Sequence, residues 1–262
     1  MKRRSFIELT GGAVAMAAAA TPADKEAKGH ETKFYLVENY FLRQSTQLAR
    51  INDFMGGAFL PFAQKAAPGP KIFLEALVAP HMPQFMVVMG LKSVSDLPEL
   101  RAKMRQDSAV QKAFAAWESG SEPPYEHMSH TLLKATDYSP EPPATPRKPG
   151  ASRIFEWRVY HSPTWRQLGA LHQRFAGPEI KIFHRVGVHP ILYSETVIGP
   201  NMPNLTYLTP FDNLAAREKA WEAFGADPEW IKVRKDSIDA HGQISSVIQI
   251  SLWRPAAYSP IG

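Results

Sequence analysis

The chain has 262 residues, 44% of them hydrophobic, which is enough apolar material for one large or two small packed domains. It contains no cysteine, which excludes disulfides, zinc–thiolate sites and lipobox acylation. The net charge of +5 falls to +3 once Lys2, Arg3, Arg4 and Glu8 are set aside, and no long Lys/Arg run remains, so no nucleic-acid partner is expected.

In chain order, the first feature is an export signal. Arg3-Arg4-Ser5-Phe6-Ile7 precedes a short apolar stretch, Leu9–Met16, and Ala18-x-Ala20 supplies small residues for cleavage. This pattern resembles a twin-arginine signal. The apolar stretch is too short to cross a hydrocarbon core of ~30 Å. The expectation is that residues 1–20 are a Tat-type signal peptide and that the mature protein is periplasmic or extracellular. No stable membrane insertion is expected after cleavage. Residues 21–32 read as a flexible, polar lead.

The rest of the chain repeats itself at a constant offset of 120 residues. Tyr40 recurs as Tyr160, Gly57 as Gly177, Glu75 as Glu195, Asp107 as Asp227, and Tyr138-Ser139-Pro140 as Tyr258-Ser259-Pro260. A fixed offset implies a tandem duplication with each copy a complete folding unit. In the first copy, residues 33–135, strands are expected near Lys33–Phe41, Lys71–Val78, Gln84–Leu91 and Met128–Ala135. Helices are expected near Ser45–Lys65 and Asp96–Trp117. In the second copy, residues 153–255, strands are expected near Arg153–His161, Ile191–Ile198, Asn204–Phe211 and Ile244–Trp253. Its helices are expected near Thr164–Val186 and Asn213–Lys235. The βαββαβ order is ferredoxin-like, an α+β class. Residues 136–152 carry Pro140, Pro142, Pro143, Pro146 and Pro149 and read as a semi-stiff linker. Residues 256–262 form a tail. The two Pro-x-Met-Pro elements, Pro80–Pro83 and Pro200–Pro203, read as rigid turns between the second and third strands.

Each four-stranded sheet with helices on one face leaves its other face to be covered. Two such sheets in one chain can cover each other and pair into a barrel. Phe155, Trp157 and Val159 alternate with Glu156, Arg158 and Tyr160. The apolar parity is expected to meet the helices and the polar parity to line the barrel interior. On that assignment Glu38, Tyr40, Glu75, Glu156, Arg158, Tyr160, Tyr193 and Glu195 are candidate ligand-binding residues inside the barrel. Satisfied ion pairs are the alternative role for the same groups. A carboxylate among apolar walls there could act as a base.

Other chemistry is thin. His172 and His184 stand twelve residues apart on one expected helix, about 120° off a common face. His127 and His130 alternate to opposite faces of a strand. No His-x-x-x-His, phosphate loop or Gly-x-Ser-x-Gly occurs, so no metal site and no catalytic residue is assigned.

Within the second copy, Phe224-Gly225-Ala226-Asp227-Pro228-Glu229-Trp230 combines an N-cap aspartate, a first-turn proline and an inward-facing tryptophan. With Pro210-Phe211-Asp212-Asn213-Leu214 before it and Phe155-Glu156-Trp157-Arg158-Val159-Tyr160 on the opening strand, the copy resembles the NIPSNAP domain over Arg153–Pro255. The first copy is a diverged version, with Ser108 and Val110 in place of Pro228 and Trp230. The resemblance implies a dimeric α+β barrel, here within one chain. It implies no required cofactor and leaves haem open. The expected function is binding or scaffolding, with a small apolar ligand in the barrel. The alternative is a cofactor-independent monooxygenase or isomerase acting on such a molecule. Self-association is allowed.

Overall fold

A computed structural model describes residues 31–143 and 153–261. The expected signal peptide and residues 144–152 of the expected linker lie outside the described residues. The first half runs β1 (Phe34–Phe41), α1 (Gln47–Phe54), a π-turn at Met55–Phe59, α2 (Leu60–Ala66), β2 (Lys71–Val78), β3 (Gln84–Leu91), α3 (Asp96–Gln106), α4 (Ser108–Glu118) and β4 (His127–Ala135). The second runs β5 (Ile154–His161), α5 (Trp165–Arg174), a π-turn at Phe175–Glu179, α6 (Ile180–Arg185), β6 (Leu192–Ile198), β7 (Asn204–Phe211), α7 (Leu214–Ala226), α8 (Pro228–His241) and β8 (Val247–Pro255). Both π-turns, the pairs β3/β7 and β4/β8, and the cis bonds Met82–Pro83 and Met202–Pro203 keep the 120-residue offset.

Three of the four expected long helices are each two helices, for local reasons, whereas the one near Ser45–Lys65 keeps a helical backbone through its π-turn. Asp227 leaves the helical region (φ −66°, ψ 122°), and its carboxylate accepts the N–H groups of Glu229 and Trp230. With Pro228 at the first helical position, that cap starts α8 afresh. Asp107 caps α4 the same way through Ala109 and Val110. The other break is a π-turn. Pro178 has no N–H to continue the ladder, and Gly177 takes a non-helical conformation (φ −87°, ψ −110°). The wide turn ends on a fully buried Glu179.

All eight strands close into one antiparallel barrel in the order β1-β3-β2-β8-β5-β7-β6-β4. Each half alone would leave β2 and β4, or β6 and β8, as open edges. Closure pairs them crosswise. β2 meets β8 from Leu74–Pro255 to Val78–Leu252, and β4 meets β6 from Leu132–Ile198 to Ala135–Ser194. The intrachain α+β barrel expected from the sequence is the observed architecture.

The facing of the strands is the reverse of the expectation. Tyr35, Val37, Phe155, Trp157, Leu208 and Trp253 fill the barrel lumen as one apolar cluster. Tyr40, Phe73 and Phe85 pack outward under the first half's helices, and Tyr160, Tyr193 and Tyr207 under the second's. The physical reason is that neither face is free. The middle of a closed eight-stranded barrel is just wide enough for side chains to fill, so that layer of the lumen takes the apolar parity. The polar parity lies outside, where helix-borne arginine, asparagine, histidine and tryptophan reach down to satisfy it.

The repeated Tyr-Ser-Pro segments act as reciprocal straps. Tyr138 of the first half packs on Tyr193 of the second, and Ser139 Oγ accepts the Tyr193 N–H at 2.9 Å. Tyr258 of the second half packs on Phe73 of the first, and Ser259 Oγ accepts the Phe73 N–H at 3.1 Å. The beginning of the expected linker is therefore held against the barrel.

Candidate functional site

β5 sends Glu156, Arg158 and Tyr160 outward beneath α7 and α8. Glu156 has no exposed surface and accepts from Arg158 Nε on its own strand and from Arg217 Nε on α7. Trp221 Nε1 adds a third bond at 3.2 Å. The Trp221 ring lies under the Arg158 guanidinium, 3.7 Å from its carbon. Two cations and an indole N–H thus satisfy a carboxylate that could not otherwise be buried.

The network continues along the strand. Arg158 Nη1 donates to the Tyr160 hydroxyl at 2.9 Å, and the Tyr207 hydroxyl donates to the same oxygen at 2.8 Å. Tyr160 accepts twice, so its own proton is left to donate elsewhere. Burial pushes the Tyr207 hydroxyl well above its ordinary pKa, which keeps it a neutral donor at any working pH.

Beside this network is a second pair. Arg174, the last residue of α5, donates from Nε to Glu179 at 2.7 Å and from Nη1 to Ser237 at 3.2 Å. Its guanidinium also lies 4.9 Å from the Trp230 ring centroid. Burial raises Glu179 to about 7, against the opposing pull of Arg174.

Between these two groups is a cavity of about 230 Å³. Arg158, Tyr160, Arg174 and Glu179 supply its polar wall, Phe224, Trp221 and Trp230 its aromatic wall, and Ile238, Ile244 and Ile248 its aliphatic wall. Arg234, on the exposed side of α8, stands at its rim. The cavity therefore suits a small, mostly apolar molecule with an electron-rich oxygen facing Arg158 and Tyr160.

Of the eight residues expected to share a barrel interior, Arg158 and Tyr160 line this cavity, and Glu156 holds Arg158 in place. All eight lie outside the lumen, on the helix side. Glu38 bonds the Tyr40 hydroxyl at 2.9 Å and His130 at 3.2 Å, and Tyr40 is buried against Trp117 and Tyr125. Glu75 is held by Asn52 and Arg254, each with a contact of 2.9 Å or shorter. Glu195 pairs with His172, which bonds the Tyr138 hydroxyl at 2.7 Å, and Tyr193 is packed beneath that strap. These five belong to the packing of the straps and of the first half.

Arg174, Glu179, Arg217 and Arg234 were missed from the sequence. The available signal was Gly177-Pro178, which breaks the helix between Arg174 and Glu179 and lets side chains five apart meet. Trp230 packs inward on Phe224 against the second half's core, as expected, but it is only half-buried because its ring also forms part of the cavity wall.

Among the described residues no group of three or more His, Asp or Glu side chains could hold a metal ion. Haem does not fit the cavity either. Among the described residues no His, Cys or Met side chain lines it, and Tyr160, the remaining axial-ligand type, is held by Arg158 and Tyr207.

Residues 155–260 match the NIPSNAP family model. The second half of the chain carries a NIPSNAP domain. A NIPSNAP-like domain protein from Burkholderia xenovorans is 24% identical over 42% of this chain and 90% of its own, with a TM-score of 0.38. The barrel as a whole is similar to two bacterial proteins described as proposed monooxygenases. The one from Fusobacterium nucleatum has a TM-score of 0.56 at 8% identity and covers 87% of this chain and 94% of its own. The one from Lactobacillus acidophilus has a TM-score of 0.53 at 8% identity and covers 87% and 95%. At such identity the likeness shows the fold alone. No curated protein matches the chain. Among the described residues no helix is long and apolar enough to cross a membrane.

Proposed function

We propose that this protein binds a small, flat, mainly apolar molecule bearing a carbonyl, phenolate or enolate oxygen, in the NIPSNAP half and outside the barrel lumen. The observation that carries this is the 230 Å³ cavity whose aromatic walls converge on Arg158 and on the free proton of Tyr160. Aromatic and aliphatic walls hold the body of such a ligand, and the guanidinium and phenol fix its oxygen. The test is native mass spectrometry of the purified mature chain, followed by binding of any co-purified molecule to Arg158→Met and Tyr160→Phe. Loss of affinity of about tenfold or more in both is expected. Retained affinity in both would move the ligand elsewhere.

A second reading, a cofactor-independent oxygenase or isomerase, is favoured by Glu179. A buried carboxylate with a pKa of about 7 is poised to take a proton from an acidic C–H, and Arg158 with Tyr160 could stabilise the resulting enolate. Exchange of substrate protons with deuterated solvent, lost in Glu179→Gln, is the expected sign. Binding without exchange in the unmodified protein would leave the binding role alone.

The constant offset supports an origin by tandem duplication. The Arg3-Arg4 motif supports export through the twin-arginine pathway. Arg3→Lys with Arg4→Lys should retain the precursor inside the cell. Unchanged export would remove that assignment.

A further inference from the structure

β5 separates two cavities. The second lies on its lumen side, at the barrel end that carries the Pro-x-Met-Pro turns, and has a volume of about 170 Å³. That is several times the ~30 Å³ a water molecule occupies in the liquid. Met86, Leu133, Trp157 and Trp253 form its deeper layer. One strand position nearer the mouth, the lining changes to Asn39, Gln84, Thr131 and Ser251, with Gln249 beyond. Among the described residues no charged side chain lines it. The mouth is open because both seams stop short. β8 pairs with β2 only from Leu252 onward and β4 with β6 only from Leu132, so the strands splay before those points.

This ring has unused hydrogen-bonding capacity. Gln84 donates to Asn39 Oδ1 at 2.9 Å, which leaves the Asn39 amide protons free and Gln84 Oε1 buried without a partner among the described residues. Gln249 Oε1 accepts from Asn201 at 3.3 Å, leaving its own amide protons free. Ser251 Oγ accepts from Trp253 Nε1 at 2.7 Å, leaving its hydroxyl proton free. Donors and acceptors of both kinds therefore ring a tryptophan floor.

We propose that the barrel mouth is a second ligand site, for an uncharged polyhydroxylated molecule of about monosaccharide size. Hydroxyls both donate and accept, which is what a ring of neutral amides and hydroxyls can answer. An ion would be buried there with no counter-charge. A purely apolar guest would strand Gln84 and Asn39. A sugar or polyol ring would set its C–H face on Trp157 and its hydroxyls on the amides.

The test is saturation-transfer NMR on the mature protein. Glucose, galactose and inositol are compared with glucuronic acid and glucosamine. Saturable binding of at least one neutral compound is expected, weakened about tenfold in Thr131→Val with Gln249→Leu. Arg158→Met should leave it unchanged, because that residue serves the helix-side cavity. Thermal melts check the double variant. If it is unfolded, Gln249→Leu alone, at an exposed position, gives the same comparison with a smaller loss. No saturable binding by any neutral compound, equal binding of the charged counterparts, or full binding in the folded variant would overturn the proposal.

Discussion

The two halves share one backbone plan and fill the space under their helices in opposite ways. In the second half Arg174 and Glu179 face each other across the π-turn, with Ser237 and Arg234 opposite on α8, and a cavity remains. One repeat earlier, those four positions are Phe54, Phe59, Trp117 and Phe114. Phe54 stacks on Trp117 at 4.7 Å with the rings 5° from parallel, and Tyr125, Phe114 and Tyr40 pack edge-on or tilted against the same tryptophan. The aromatic set consumes the volume, whereas the ion pair spans it and leaves room alongside. One backbone plan thus carries a packed aromatic filling in the first half and an open cavity in the second.

The largest expected effects test whether each filling is needed where it occurs. Glu156→Ala should cost about 3–5 kcal/mol in a denaturant titration, because Arg158 and Arg217 would stay buried without their carboxylate. Trp117→Ala should cost a similar ~3–5 kcal/mol and open a cavity in the first half. That cavity should be detectable by binding of a small aromatic probe. If Trp117→Ala leaves stability intact, the plug is not what holds the first half.

A pH series sharpens the contrast. Glu179 has a folded pKa of about 7, raised above its ordinary value of 4.5. The folded state therefore binds this proton more tightly than the unfolded one. The stabilisation is complete below pH 4.5 and disappears as pH rises through about 7. Glu179→Gln should flatten that decline. The first half carries Phe59 at this position and has no counterpart to the effect. Identical pH profiles for the two proteins would refute the assignment.

Smaller effects concern the caps and straps. Trp230→Ala and Val110→Ala should each cost about 1.5–3 kcal/mol, close together because the tryptophan is only half-buried while the valine is fully so. Tyr138→Phe and Tyr258→Phe should each cost about 0.5–1.5 kcal/mol, the worth of one hydrogen bond, to His172 and to Asn52 respectively. Strap variants with no effect on melting would mean that barrel closure alone joins the halves.

Much of the fold was legible because its signals are local or periodic. The strands Lys71–Val78, Gln84–Leu91 and Asn204–Phe211 were placed to the residue, and Asp227-Pro228 announced a helix start. Legibility ended at orientation. Alternation told which residues of β5 share a face, but not which face meets the helices, since both are buried. The site suffered accordingly. Arg158 and Tyr160 were singled out, but Arg174, Glu179 and Arg217 come from other elements and declare themselves only through contact.

The sequence by itself determined the two-fold repetition, the βαββαβ order and the positions of the capping aspartates, because each depends on residues near in the chain or on a fixed offset. Only the tertiary structure decided that the apolar parity of the strands fills a lumen and the polar parity lies under helices. It also decided which half keeps a cavity. Both outcomes depend on how much volume meets at one place from distant segments, and neither alternation nor offset along a chain encodes that sum.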